Sequence, residues 1–482
     1  MQYKTIFRLI GLLLILFSFS MLPPLVINYI FAEPIWLPFI MPFIIIFSTG
    51  SLLWFAFRAH RNNLKIREGF LIVVILWLVI SFFASLPFLL FPDTSPTITD
   101  AIFETVSGLT TTGAATFTKL NVLPRAMLYY RQQLQFIGGM GIIVLAVAIF
   151  PMLGIGGSQL FRVEAAGPKK DNKFTPRIAQ TAKVLWMIYC FLTIACAVCY
   201  WYCGMDWFYA IGESFATIST GGFSMHDESF FYYNSKAVEI FACIFMLIGS
   251  ISFSLHFMAF RQHDWRFYWK DEEFRFYIGV LFLLGMITFV TMFFNHFFTS
   301  PHHFADTIFV LISLSSTTGF TLLPFDNWPT FVPILIVIMS LFGGCAGSTT
   351  GGLKMLRVLL LGKHSKREFL RLLHPQALLS IKMDQQTVAE STIQSVTGYV
   401  SLFFALFALL LLIFVALGND FVTSFSATAA GLANSGAGIG AISNNFNGLN
   451  TGSKWILIVA MLIGRLELYP FFILFMRPFW QK

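Results

Sequence analysis

Thr110-Thr111-Thr112-Gly113 is a short hydroxyl-rich run that ends in glycine between two long apolar segments. Three further runs are built the same way: Ser219-Thr220-Gly221-Gly222, Ser316-Thr317-Thr318-Gly319 and Ala433-Asn434-Ser435-Gly436. Their last glycines stand 109, 97 and 117 residues apart. The likeness extends upstream. Ala101-Ile102-x-Glu104 and Ala210-Ile211-x-Glu213 each reach their glutamate nine residues before the glycine, Asp100 and Asp306 precede theirs by thirteen, and Gly108-Leu109 matches Gly431-Leu432. A near-fixed period of this size is a repeat architecture. Here it predicts four copies of helix, re-entrant loop, helix, an arrangement from which one chain can build the walls of an ion pore.

Composition agrees. Of 482 residues, 57% are hydrophobic and 11% charged, with 58 Phe and a mean hydropathy of +0.76. Such a chain lives in lipid, not as two or three soluble domains. Ten apolar stretches reach the ~20 residues that cross a bilayer as helix: approximately 5–31, 37–57, 69–92, 126–153, 184–205, 237–260, 276–298, 331–361, 396–417 and 455–476. The first has no A-x-A-like cleavage site and reads as a retained helix. The expected fold is an all-α integral membrane protein of about ten transmembrane helices. Its four re-entrant pore loops give pseudo-fourfold helix–pore loop–helix repeats. A helical hairpin occupies 1–66, followed by units at 67–165, 166–262, 263–372 and 373–482. The segments near 100–112, 207–221, 304–318 and 420–435 are too short and polar to cross, so they enter and return. Backbone of that kind at membrane depth needs protein or water around it, and four loops meeting on an axis supply both.

Basic residues set the orientation. Lys4 and Arg8 lead the first span; 58–67 holds four, 162–183 six, 261–275 four and 354–382 seven, and Arg477 and Lys482 close the tail. Only Lys119, Arg125, Arg131, Lys236 and Lys454 fall on the other side. The positive-inside rule places both termini in the cytoplasm and opens the glycine runs outward. The net charge of +8 reflects this topology and anionic lipid, not nucleic acid. The six cysteines lie in apolar segments, and Cys196-x-x-Cys199 reads as packing thiols inside a span.

The runs suit potassium chemistry. A dehydrated potassium ion needs a shell of oxygens at matched distance, and channel filters supply it from rings of backbone carbonyls. Glycine at the end of each run accepts angles other residues avoid, and Thr or Ser before it can satisfy backbone groups locally. One such run would be explained as close helix packing; four at equivalent places favour a pore.

On these residues the chain resembles the Trk/Ktr/HKT superfamily of potassium transporters over nearly its whole length. The two extra N-terminal helices and the long third-unit insertion are most similar to the TrkH branch. Thr111-Thr112-Gly113, Ser219-Thr220-Gly221-Gly222-Phe223, Thr317-Thr318-Gly319-Phe320 and Asn434-Ser435-Gly436 match its four filter loops. The resemblance implies that carbonyls of Thr111, Thr112, Thr220, Gly221, Thr317, Thr318, Asn434 and Ser435 hold the ion, with glycines 113, 222, 319 and 436 completing the loops. It further implies selectivity for potassium, because serine at the first glycine position goes with sodium in this superfamily. It also implies a bacterial inner-membrane homodimer, one pore per subunit, and a cytosolic TrkA-like ring that binds NAD(H) or ATP/ADP. Potassium is then the only ion expected at the filter, with no covalent cofactor. The fourth loop departs from the pattern, with Ala437 where TrkH relatives often have proline.

Asp100, Asp206, Asp306 and Asp420 stand at the expected starts of the short pore helices, where an acidic side chain caps the helix. A cation-attracting mouth is compatible with that position. Stretch 331–361 has 31 residues, roughly 46 Å as helix against about 30 Å of hydrocarbon. Its centre is Gly343-Gly344-Cys345-Ala346-Gly347-Ser348-Thr349-Thr350-Gly351-Gly352. These glycines predict two half-helices joined by a flexible gating loop beneath the filter. A phosphate loop is excluded because Leu353, not Lys, follows the last glycine. Arg465 sits in the middle of the last span, where arginine costs roughly 2.5–3.5 kcal/mol on insertion scales, so it should face a cavity or partner. Glu467 at i+2 points to another helix face and is a poor partner. By resemblance, Arg465 forms an electrostatic barrier just below the filter. No nucleophile–base constellation indicates an enzyme. A carrier with inverted repeats and paired broken helices ranks lower than a pore, since the repeats run in one sense and only one span looks broken. The potassium-binding subunit of a pump would need a separate ATPase, for which the chain has no motif.

Overall fold

The computed structural model describes residues 3–60, 66–91, 96–148, 174–297, 301–322, 325–329 and 331–481. The expected unit junction at 165–166 and the start of the basic segment 162–183 lie outside these residues. Helix dominates. Among the described residues the only strands are Lys382–Met383 and Gln386–Thr387, a small hairpin turned by Asp384 and Gln385 at φ of 46° and 67°. Six helices are long and apolar enough to cross a membrane: Tyr3–Ile30, Leu37–Phe57, Glu68–Leu89, Ala182–Tyr202, Glu272–Phe294 and Glu390–Ala416. The first two cross where Gly11 meets Gly50, close enough that a methyl on either would press on the other's backbone.

The remaining helices complete four modules. Each has a spanning helix, a short pore helix (Ile98–Leu109, Trp207–Ile218, Pro301–Ser315 or Phe421–Leu432), an irregular loop and a return helix. Three of the pore helices have twelve residues and that of the third module fifteen, a rise of about 18–23 Å, too short to cross about 30 Å of hydrocarbon. Three start on side-chain caps. Thr97 accepts from the backbone N–H of Asp100 at 3.2 Å, Asp206 from that of Phe208 at 2.9 Å and Asp420 from that of Thr423 at 3.0 Å. Hydrogen bonds from the Thr423 side chain and backbone hold the Asp420 carboxyl below its ordinary range. The expected capping role is not found for Asp100, which sits in the first turn and accepts from the Thr97 hydroxyl at 2.7 Å while Thr97 caps the helix, nor for Asp306. Its helix begins at Pro301, and Asp306 lies in the second turn, 3.4 Å from Lys236 of the neighbouring module.

The return helices are more broken than the sequence suggested. The first is one 24-residue helix, Arg125–Ala148. The second bends by 96° between Lys236–Ser250 and Phe253–Gln262, and the fourth by 113° between Thr451–Leu466 and Leu468–Phe475. The third splits as expected, into Phe331–Phe342 and Met355–Leu373. Stretches 237–260 and 455–476 are therefore not straight spans. In the second module, tertiary bonding holds the bend: the carbonyls freed at Gly249 and Ser250 accept N–H groups of Thr349 and Cys345, so the loop of the third module fills the break of the second.

Candidate functional site

Each pore helix ends in the same hydrogen-bonded cap. In the first module the N–H of Thr111 donates to Gly108 at 3.0 Å and that of Thr112 to Ser107 at 2.8 Å. The pairs recur as Thr220 to Thr217 and Gly221 to Ala216, Thr317 to Leu314 and Thr318 to Ser313, and Asn434 to Gly431 and Ser435 to Ala430. This is the Schellman pattern, which requires a left-handed residue after the helix. Thr111, Thr220, Thr317 and Asn434 fill that position at φ of 49°, 50°, 53° and 52°. Glycine is the usual occupant, and a β-branched residue held there marks strain of order 1–3 kcal/mol. Two residues on, Gly113, Gly222, Gly319 and Gly436 are left-handed again at 84°, 79°, 86° and 63°. Alternation of hand along three residues turns successive carbonyls toward one side instead of opposite sides.

The four loops close on one another. A side chain on Gly113 would strike the carbonyl oxygen of Gly221, one on Gly222 that of Thr318, one on Gly319 that of Ser435, and one on Gly436 that of Thr112. Each glycine thus leaves room for the next loop's carbonyl, and the fourth loop returns to the first. All twelve residues expected from the sequence are brought into this ring.

The ring is propped from behind by groups the sequence reading did not single out as supports. Buried Glu104 accepts from the N–H of Thr116 at 2.8 Å and pairs with buried Arg131 at 2.6 Å. Glu213, at the same place in module two, accepts from Ser224 and Met225 at 2.9 Å and from Tyr233 at 3.1 Å. Module four uses hydroxyls instead: Ser426 accepts from the N–H of Ile439 at 2.7 Å and Thr423 from that of Ala441 at 2.9 Å. Arg131, expected on the outer side, lies buried on the return helix Arg125–Ala148. It is the first of a buried polar run, Arg131-Gln132-Gln133-x-Gln135, whose presence inside an apolar stretch was the available signal. Beyond the second loop, His226 stacks on Tyr232 at 3.5 Å and bonds Asn121 at 2.8 Å, and burial lowers its pKa to about 4.

Beneath the ring lies the loop 343–354. Gly343, Gly347 and Gly352 are left-handed at 68°, 78° and 73°, as is Lys354 at 70°. The loop touches three of the four ring threonine or asparagine positions. Thr349 meets the hydroxyl of Thr220 at 3.2 Å, the N–H of Gly351 donates to the Thr317 hydroxyl at 2.8 Å, and a side chain on Gly351 would strike Ala433 and Asn434. Gly344 packs on Ser250. Glu273 clasps both ends, accepting from the N–H of Ala346 at 2.6 Å and of Leu356 at 3.0 Å. The remaining position, Thr111, takes a hydrogen bond from the guanidinium of Arg465. Arg465 is not mid-helix but one residue from the end of Thr451–Leu466, at the bend. Among the described residues no carboxylate pairs with it. Glu467 pairs instead with Arg357 at 2.7 Å, with that guanidinium 3.9 Å over Tyr399. Loop and arginine together therefore underlie all four parts of the ring.

Residues 38–482 match the family described as “TrkH: Cation transport protein”. The chain is 46% identical to the Trk system potassium uptake protein TrkH of Vibrio parahaemolyticus serotype O3:K6 (strain RIMD 2210633), over 100% of both chains. It is 45% identical to the protein of the same name from Escherichia coli (strain K12), again over 100% of both. Identity to the Trk system potassium uptake protein TrkG of Escherichia coli (strain K12) is 39% over 99% of each. Its fold is similar to the crystal structure of the potassium transporter TrkH from Vibrio parahaemolyticus, with a TM-score of 0.93 and 44% identity over 100% of both chains.

Proposed function

The chain belongs to the TrkH family of cation transport proteins, and from that premise we propose that it takes up potassium through a channel-like pore. The observation that carries this reading is the closed ring in which each left-handed glycine faces the carbonyl of the next loop. In the proposed filter, carbonyls of Thr111, Thr112, Thr220, Gly221, Thr317, Thr318, Asn434 and Ser435 replace the water shell of the ion. Potassium is the cargo, not a resident cofactor, and the family is one of transporters, not enzymes.

Beneath the filter, Gly343, Gly344, Gly347, Gly351 and Gly352 give the gate its freedom to move, and Arg465 opposes cations electrostatically. The contacts of loop and arginine with all four filter positions support this assignment. The number of broken helices no longer argues against a carrier, since three return helices are interrupted. The breaks gather around one loop, however, and the four modules run in one sense, which favours the pore. The proposal includes the hairpin 1–66 and the units 67–165, 166–262, 263–372 and 373–482, cytoplasmic termini in a bacterial inner membrane, and a homodimer. “Trk system” in the relatives' names supports a further component, here a cytosolic TrkA-like ring that binds NAD(H) or ATP/ADP. Co-purification of such a ring, as opposed to a P-type ATPase, separates this from the pump-subunit reading.

The central test is flux in liposomes under imposed potassium, rubidium and sodium gradients. Potassium and rubidium should pass and sodium should not; equal passage of sodium would overturn the filter assignment.

A further inference from the structure

The second filter loop differs from the others at its middle residue. Where the other three have Thr112, Thr318 and Ser435, it has Gly221, followed at once by Gly222. The hydroxyls of the others are tied: Thr112 to Thr110 at 2.7 Å and Thr318 to Ser316 at 2.8 Å within their own loops, and Ser435 to Ser340 of the third return helix at 3.3 Å. Two consecutive glycines have no such tether and the widest backbone freedom of any dipeptide. Yet this loop must hold a carbonyl in register with three stiffer neighbours.

The missing tether comes from another module. Gln135, fully buried on the return helix Arg125–Ala148, donates from Nε2 to the Gly221 carbonyl at 2.7 Å and accepts at Oε1 from the N–H of Phe223 at 3.2 Å. Its carboxamide therefore grips the loop on both sides of Gly222. It also fills the space a side chain on Gly221 would occupy. One turn earlier Gln132 donates to the Phe223 carbonyl at 2.8 Å, and Arg131 donates to that of Ser224 at 3.1 Å. A carbonyl has two lone pairs, so the Gly221 oxygen can accept from Gln135 and still face the ring.

We propose that Gln135 is a specificity-determining positioning residue: by clamping Gly221 and Phe223 it fixes the second loop's contribution to the ring, so that discrimination against sodium depends on a side chain outside all four filter loops. This rests on the filter reading above. Gln133 supplies an internal control. It is on the same helix and also buried, but it donates to the Ser20 carbonyl of the N-terminal hairpin at 2.9 Å, away from the ring.

The test compares wild type, Gln135→Met, Gln135→Glu, Gln133→Met and Gly113→Ser in liposomes, at matched amounts of folded protein. Maximal flux and half-saturating concentration are measured for potassium and for sodium. Gln135→Met removes both hydrogen bonds at nearly constant volume. The potassium-to-sodium ratio should fall roughly tenfold, the scale of one buried hydrogen bond. Most of that change should appear in half-saturation, not maximal flux. Gln135→Glu keeps the shape and the bond from Phe223 but not the donor to Gly221, so it should lose selectivity too; it decides the matter if the methionine variant does not fold. Gln133→Met should keep the wild-type ratio. If Gly113→Ser abolishes selectivity while both Gln135 variants that fold retain it, the proposal is overturned and the filter reading stands. If wild type itself does not discriminate, the filter reading falls first. An equal loss in Gln133→Met would make the effect general helix damage and would overturn the specific role.

Discussion

The ring and the floor beneath it are built on opposite plans. In the ring every module supplies the same three-residue backbone, with the same pair of left-handed residues and the same helix cap. In the floor, module three supplies a loop, module four supplies Arg465, and module two is broken to receive the loop. The difference follows from what each region has to do. On the proposed reading, an ion stripped of water must meet oxygens from every side, so no module can be excused from the ring. An obstruction needs to come from one side only. Selectivity should therefore be sensitive to all four modules, and the closed state to two or three.

The sharpest way to break this comparison is to substitute serine singly at Gly113, Gly222, Gly319 and Gly436. Each should collapse potassium selectivity by about tenfold or more, since each side chain meets a neighbouring carbonyl at a backbone angle that disfavours it. Measured sodium-to-potassium flux ratios that change for one glycine alone would end the claim of equivalence. Next in size is removal of Cys345–Thr350 from the loop, which should raise flux severalfold and leave selectivity intact; unchanged or lower flux in a folded variant would make the loop a packing element. Arg465→Ala should raise flux less, since the loop still blocks three positions. A full charge at 4 Å and an effective dielectric of about 20 is worth about 4 kcal/mol, ample for a tenfold change even when screened. Little loss of thermal stability should accompany the gain, and a large loss with unchanged flux would make Arg465 a structural anchor.

Smaller still is Glu273→Ala, which strands one N–H in the loop, at Ala346, and one in the helix after it, at Leu356, at about 1–3 kcal/mol each. It should raise basal flux modestly. Glu273→Gln should restore the closed state, because one amide oxygen can accept both bonds. The smallest effect concerns pH at the outer mouth. Burial keeps His226 neutral in the folded protein down to about 4, against an ordinary value of 6.5. An unfolded chain therefore binds this proton first. Its share of stability should be complete above about 6.5 and decline as pH falls toward 4. Melting temperatures should show this decline, and His226→Gln should flatten it.

Most of the ring was legible because its requirement is local. A left-handed backbone position leaves a trace in glycine, and repetition at nearly constant spacing multiplied that trace. Arg465 was legible as a charge in an apolar stretch, but its place at a helix end was not. The bend at Ile251 follows Gly249 and is filled by the loop of module three, which its own sequence does not announce; the bend at Glu467 precedes Pro470, which has no N–H to give the Leu466 carbonyl, a signal the sequence did carry. Asp306 was misread because its pore helix begins a turn earlier than those of the other modules. The Arg131-to-Gln135 run was visible as polarity in a span; what it supports depends on which loop lies opposite, and a single sequence does not say.

One feature of the ring bears on how the molecule is made. It closes between its ends: Asn434 bonds the Thr112 hydroxyl across 322 residues, while Lys454–Asp100 and Arg465–Thr111 each span 354. Modules one to three alone leave the ring open, since its closing contacts come from the last hundred or so residues. The module that completes the wall is also the one that carries the arginine. A chain that stops short of module four therefore lacks both the contacts that close the ring and the arginine that reaches Thr111.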